Sequence, residues 1–99
     1  MNISANLKAI DSMKSALLCE IARLYGELSD HDVEKDDKAI EEGISSVIAM
    51  CYMLSRRLGF EYSDIDFAME KILSQSASAG HEIEEEFSDM SSLCAYIKR

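Results

Sequence analysis

Proline is absent from this sequence, and there are only four glycines among 99 residues. An all-β domain needs turn signals at short, regular intervals, and these are missing here. The longest unbroken apolar segment, residues 47–54 (VIAMCYML), is far shorter than the roughly 20 residues that cross a bilayer. The first residues, MNISANLKAID, lack the basic region and apolar core of a secretory signal. We therefore expect a cytoplasmic, all-α protein that does not enter a membrane.

Positive charge is scarce as well. The chain has 10 Lys and Arg against 19 Asp and Glu, which gives a net charge of −9. Sequence-independent nucleic-acid binding needs basic groups that displace phosphate counterions, so this composition argues against a nucleic-acid partner. The charge is consistent with solubility alone, with cation binding, or with a basic protein partner that meets residues 30–42 and 82–89.

Several familiar catalytic motifs are missing. The sequence has no Gly-rich phosphate loop, no Walker motif and no G-x-S-x-G. His31 and His81 are lone histidines in polar segments, and we interpret both as surface residues. Cys19, Cys51 and Cys94 are an odd number without a C-x-x-C pair, which indicates a reducing compartment and cysteines packed as small hydrophobes. No catalytic residue is assigned.

The apolar pattern predicts four main helices. Apolar residues at steps of three and four predict the first helix over residues 5–28, and the polar segment 29–37 predicts a loop that ends at a capping Asp32 or Asp36. The central helix extends to about residue 58, where Gly59 and Phe60 supply a stop signal.

The C-terminal third is less regular. Ser63 is the predicted cap of a helix that extends to about residue 74, followed by a break over residues 75–81. The last helix is predicted over residues 82–97 as one piece. Its apolar residues step by four, three, four and three and form a narrow seam of Ile83, Phe87, Met90, Cys94 and Ile97.

The central helix decides the expected architecture. Its apolar run has no polar face, so neighbouring helices or a second copy of the chain must cover it on all sides. A chain of this length buries only about two-thirds of its unfolded surface, so complete coverage from within is difficult. We predict a single all-α domain over residues 1–99, a four-to-five-helix bundle that assembles as a homo-oligomer.

Carboxylates on helices are the remaining source of chemistry. Mg²⁺ is bound octahedrally by oxygen ligands, and helical bundles present acids on facing helices for this purpose. Glu20 lies near the middle of the first helix beside apolar residues, and Glu42 lies one turn before the apolar run. Both are candidates for facing positions, with ordinary boundary acids as the alternative.

Two segments resemble the MazG-like, all-α nucleoside triphosphate pyrophosphohydrolase family. Residues 37–73, which include EEGISSVIAMCYMLSRRLGFEYSDIDFAMEKIL, resemble the second half of the family pattern. In the family an acid-led helix continues into a basic-Leu-Gly turn, and a second helix begins near an acid and ends in a Lys- and Asn-containing phosphate-binding segment. Residues 18–24, LCEIARL, align with an earlier E-E-x-x-E-L segment. The resemblance implies a helical bundle assembled as a dimer or a dimer of dimers, Mg²⁺ as cofactor, and cleavage of nucleoside triphosphates to the monophosphate and pyrophosphate.

The expected metal ligands are incomplete. On this alignment Glu20 and Glu42 remain, whereas Arg23 and Ser45 occupy the positions of their acidic partners, and Cys19 replaces another acid. In the phosphate-binding segment, Lys71 remains as the candidate substrate-phosphate ligand. At neighbouring positions Gln75, Ala77 and Ser78 replace the residues of the family pattern.

These departures suggest what replaces the metal. Because Arg keeps its proton, we hypothesise that Arg23 pairs with Glu20 or Glu42 and substitutes for the ion. Three functions remain open: a catalytically inactive binding or regulatory relative, a Mg²⁺-dependent pyrophosphohydrolase, or an unrelated acidic adaptor, chaperone or antitoxin-like protein. The enzymatic alternative would draw on acids outside the alignment, namely Glu27, Glu41 or Asp37.

Overall fold

The computed structural model describes residues 3–29, 36–80 and 82–99. All regular secondary structure in these ranges is helical, which confirms the all-α prediction. The elements are α1 (Ile3–Ser29), α2 (Asp37–Arg57), α3 (Tyr62–Ser78), α4 (Glu82–Phe87) and α5 (Asp89–Lys98). His31, His81 and Asp32 lie outside the described residues, as does the 30–35 part of the predicted acidic surface. None of the described helices is long and apolar enough to cross a membrane.

The chain divides into two compact units, residues 1–60 and residues 61–99. The first unit is a pair of antiparallel helices, α1 and α2. At one end Asn6 Nδ2 donates to the Arg57 carbonyl over 2.8 Å, and towards the other end Leu24 packs on Gly43. The single domain over residues 1–99 stays a prediction.

Both ends of α2 follow the sequence signals. Asp36 caps the start, where its Oδ1 accepts a hydrogen bond from the Ala39 N–H over 3.1 Å. At the other end Gly59 takes a left-handed φ of +99°, and the Phe60 N–H donates back to the Ser55 carbonyl over 3.0 Å. This is the bonding pattern of a Schellman stop, for which glycine is the favoured residue.

One side of the α1–α2 pair is apolar and exposed. On α1, Leu24 contacts α2, and the residue that follows it, Tyr25, is 73% exposed. Leu18 lies two turns before Tyr25 on the same side and is 69% exposed. On α2, Ile44 follows the buried Gly43 and is also exposed. Antiparallel helices turn in opposite senses when viewed from one end, so residues just after a contact position emerge on the same side. We call this side the apolar face, and it comprises Leu18, Ile21, Tyr25, Leu28, Ile44 and Ile48.

Helix α3 is capped two residues earlier than the sequence predicted. Glu61, not Ser63, occupies the N-cap of α3, and its backbone N–H donates to the Asp64 carboxylate over 2.8 Å. Ser63 lies inside the first turn. The sequence prediction failed here because Asp64, three residues after Glu61, satisfies a backbone donor at the helix start and so favours the earlier cap.

The predicted end of α3 is also wrong. The helix continues through residues 75–78 and stops only where Gly80 takes a φ of +75°. The Ala79 N–H still bonds the Gln75 carbonyl over 3.0 Å. Small polar residues weaken a helix but do not remove a backbone donor, so the segment stays helical until glycine permits the left-handed turn.

The last predicted helix is two helices. Ser88 has φ 57° and ψ 28°, and this left-handed conformation interrupts the helix between α4 and α5. Helix α5 packs on α3, where Cys94 is 8% exposed and its Sγ lies 3.7 Å from the Glu70 carbonyl oxygen. All three cysteines are free, but Cys19 and Cys51 are exposed. The prediction of core packing therefore holds for Cys94 and is wrong for the other two.

Candidate carboxylate site between the first two helices

The candidate site is built on the contact between Leu24 and Gly43. A Cβ placed on Gly43 would lie 3.3 Å from the Leu24 Cδ1, so glycine lets α1 and α2 approach closely here. Gly43 is one of only two buried residues on α2. This contact fixes how the acids on either side of it face one another.

A cleft of about 100 Å³ lies beside this contact, on the side of the pair opposite the apolar face. It contains one cationic side chain and two carboxylates. Its lining residues are Arg23, Leu24, Glu27, Ala39, Glu42 and Gly43. Arg23 and Glu42 each precede a contact position, which explains why both emerge on this side.

Arg23 connects the cleft to the third carboxylate. Its Nη2 donates to Glu20 Oε1, one turn earlier on α1. The Glu20 side chain is only 16% exposed, whereas that of Arg23 is 69% exposed. Residues three apart are neighbours on a helix surface, so this pairing follows from the sequence spacing.

Ser45 takes no part in the cleft lining. Its hydroxyl donates to the Glu41 carbonyl over 2.8 Å, within its own helix. Serine commonly forms this bond to the carbonyl four residues earlier. The side chain at the position of the expected acidic partner of Glu42 is therefore bonded to the α2 backbone.

The MazG-like family model matches residues 3–90 of the sequence. The chain belongs to the MazG-like family. The match covers α1 to α4 and the first residues of α5, so it extends well beyond the segments that suggested the resemblance. No curated protein and no solved structure matches the chain.

The donor set of this MazG-like chain does not fit Mg²⁺ as the side chains stand. A permanent guanidinium cation is hydrogen-bonded to Glu20, the least exposed of the candidate ligands. Within the described ranges, no three His, Cys, Asp or Glu side chains come together as a metal cluster. Mg²⁺ gives up its waters reluctantly, so a carboxylate that is already hydrogen-bonded to a guanidinium offers poor compensation.

Glu27 is the cleft residue that the family alignment left out. It lies one turn after Arg23 on α1 and lines the cleft together with Glu42. The signal that could have found it is the antiparallel register. A connection of seven residues between α1 and α2 brings the last turns of α1 opposite the first turns of α2, as in any helical hairpin.

Lys71 belongs to the second unit. It is exposed on α3, and Gln75 and Ser78 follow on the same helix. A second, wider cleft of about 310 Å³ lies between α3 and α5 and includes Ala77, Ser78 and Lys98 among its lining residues. Lys71 is not among the residues that line it.

Proposed function

We propose that this MazG-like protein does not hydrolyse nucleoside triphosphates and acts as a binding or regulatory protein on the family's helical scaffold. The observation that carries this proposal is the position of Arg23. Its guanidinium lines the carboxylate cleft and bonds Glu20, where the family resemblance implies a divalent ion. Arg23 is thus proposed as a structural substitute for the metal.

Charge balance supports this assignment. Glu20, Glu27 and Glu42 carry three negative charges around the cleft, and Arg23 supplies one positive charge that no pH change in the physiological range removes. Because Glu20 is already hydrogen-bonded to Arg23, it offers a divalent ion less than a free carboxylate would. The remaining excess of negative charge suits a basic group from a protein partner.

A Mg²⁺-dependent pyrophosphohydrolase is the second candidate. Glu27 favours it, because this acid joins Glu42 in the cleft and raises the number of nearby carboxylates to three. In that case Glu20 and Glu42 would bind Mg²⁺ and Lys71 would bind substrate phosphate. An unrelated adaptor, chaperone or antitoxin-like protein is no longer a candidate, since family membership is established.

Two measurements separate these functions. We expect no stoichiometric heat in a calorimetric Mg²⁺ titration and no release of pyrophosphate from a panel of nucleoside triphosphates with Mg²⁺ or Mn²⁺. The double variant Arg23→Glu with Ser45→Asp rebuilds four acids on the two helices and should acquire measurable Mg²⁺ binding. Tight Mg²⁺ binding or enzyme-like turnover by the unmodified protein would refute the proposal.

A charge-matched control distinguishes a rebuilt site from a general increase in negative charge. Lys8→Glu with Ser12→Asp makes the same change of three charges on exposed positions of α1 that do not line the cleft. This control should bind Mg²⁺ no better than the unmodified protein. Equal gains in both double variants would mean that the cleft has no special role.

The same proposal includes a homodimer. The apolar face lies opposite the cleft, so a second copy covering it would leave the carboxylates accessible. A two-fold interface uses the same patch on both copies, and a single continuous apolar face meets that requirement. Three free cysteines support the cytoplasm as the compartment.

A further inference from the structure

The junction between α4 and α5 depends on one residue in an unusual conformation. Ser88 is the only non-glycine residue with positive φ in the described chain, at 57°. The left-handed region is unfavourable for residues with a Cβ. Ser88 also makes no side-chain capping bond for the helix it precedes. Something else must therefore hold the bend.

Glu84 supplies that support. Its Oε2 accepts a hydrogen bond from the Ser91 backbone N–H over 3.0 Å, and its Oε1 accepts one from the Ser91 hydroxyl. Ser91 is the third residue of α5, where a backbone N–H lacks an intrahelical partner. These bonds also hold the pKa of Glu84 below its ordinary value, the bond from the Ser91 hydroxyl being the largest cause. We call this pair of bonds the Glu84–Ser91 clamp.

The sequence on either side of Ser88 favours a different conformation. Residues 82–98 contain neither glycine nor proline, and Ile83, Phe87, Met90, Cys94 and Ile97 would share one face of an uninterrupted helix. In the bent form Ile83 and Phe87 are 45% and 65% exposed, while Cys94 is buried. The bend therefore separates the first two apolar residues from the rest of their seam.

The clamp and an uninterrupted helix exclude each other. In a continuous helix the Ser91 N–H would donate to the Phe87 carbonyl, and Glu84 would lie two turns away, at about 10 Å along the axis. We propose that the α4–α5 junction is a two-state element: a bent state held by the Glu84–Ser91 clamp, and a straight state in which residues 82–98 form one helix. Phe87 is exposed in the bent state and lies on the same helix face as Cys94 in the straight state.

Nuclear magnetic resonance of the full chain tests this directly. In the unmodified protein we expect non-helical carbon-13 shifts at Ser88 and a protected Ser91 amide. Glu84→Ala removes the clamp, and Ser88→Ala raises the intrinsic helix propensity at the junction. Both variants should shift residues 87–89 towards helical values and produce contacts between residues three and four apart across position 88.

Two further variants complete the design. Glu86→Ala makes the same change in helix propensity as Glu84→Ala without touching the clamp, and it should leave the Ser88 shifts unchanged. Ser88→Gly relieves the left-handed cost and should retain the bend. A helical Ser88 in the unmodified protein would overturn the proposal. So would unchanged shifts in both Glu84→Ala and Ser88→Ala, or loss of α5 helicity in place of straightening.

Discussion

At the scale of single residues, Arg23 and Glu20 show how local spacing and tertiary contact combine. Their pairing was predictable, because three residues on a helix bring the two side chains together. The sequence did not predict that Arg23 also lines a cleft with Glu27 and Glu42, because this depends on where α1 crosses α2. The crossing is set by Gly43, whose missing side chain admits Leu24. The family motif alone therefore identified Glu42 but passed over Glu27.

Two glycines allow a matched test of backbone conformation. Gly59→Ala should lower the free energy of unfolding by about 1–2 kcal/mol, because an L-residue is strained at φ +99°. Gly26→Ala should raise it by roughly 0.5–1 kcal/mol, since Gly26 lies inside α1 with no atom within 4 Å of an added Cβ. Thermal unfolding should move each midpoint by several degrees, in opposite directions. A shift of the same sign in both variants would contradict this explanation.

At the scale of helices, prediction succeeded at the two ends of α2, where the signals are local. Asp36 and Gly59 define α2 through bonds within a few residues; Gly59 was evident in the sequence, and Asp36 was one of two candidate caps. The α4–α5 break was missed because Ser88 has no local signature. Its conformation depends on a side-chain bond across seven residues, from Glu84 to Ser91. Apolar periodicity carries no information about such a bond.

The Glu84–Ser91 clamp has a consequence for stability against pH. The pKa of Glu84 is lowered in the folded chain from its ordinary value of 4.5, because the Ser91 hydroxyl and N–H bond its ionised form. A group whose pKa is lower when folded stabilises the fold above its unfolded pKa, and this contribution is lost as the pH falls through the folded value. Glu84→Gln should therefore be less stable than the unmodified protein at neutral pH, with the difference shrinking below about pH 4.5.

Thermal unfolding of both proteins across an acidic pH series measures this difference. Glu86→Gln provides the control, because it removes the same charge from α4 without removing the clamp. The difference in thermal stability between Glu86→Gln and the unmodified protein should show no comparable pH dependence. If the difference in thermal stability between Glu84→Gln and the unmodified protein stays constant or increases on acidification, a charge-dependent clamp is excluded.

At the scale of the whole molecule, the described chain buries very few residues. Among the described residues only Gly43, Ser55 and Cys94 are buried, whereas large apolar side chains remain exposed on every helix. Soluble proteins seldom leave contiguous apolar patches of this kind uncovered unless they bind something. The sequence anticipated this through the fully apolar run of α2, which 99 residues cannot easily enclose. It could not identify the exposed side, because that follows from how α1 packs on α2.

The apolar face makes the proposed homodimer testable. Leu18→Glu and Ile48→Glu place charges on side chains that are exposed in the single chain, so they should disturb the α1–α2 pair little. In a dimer these charges would be buried without partners, which strongly disfavours association. Light scattering after size exclusion should therefore report a dimer for the unmodified protein and a folded monomer for both variants. Ser12→Glu, an exposed position on α1 outside the apolar face, should remain dimeric.

The concentration dependence of thermal unfolding gives a second test of the homodimer. Because unfolding would be coupled to dissociation, the unmodified protein should gain thermal stability with concentration, and the two monomeric variants should not. A monomeric unmodified protein, or dimers in all four proteins, would show that this face is not the interface between copies.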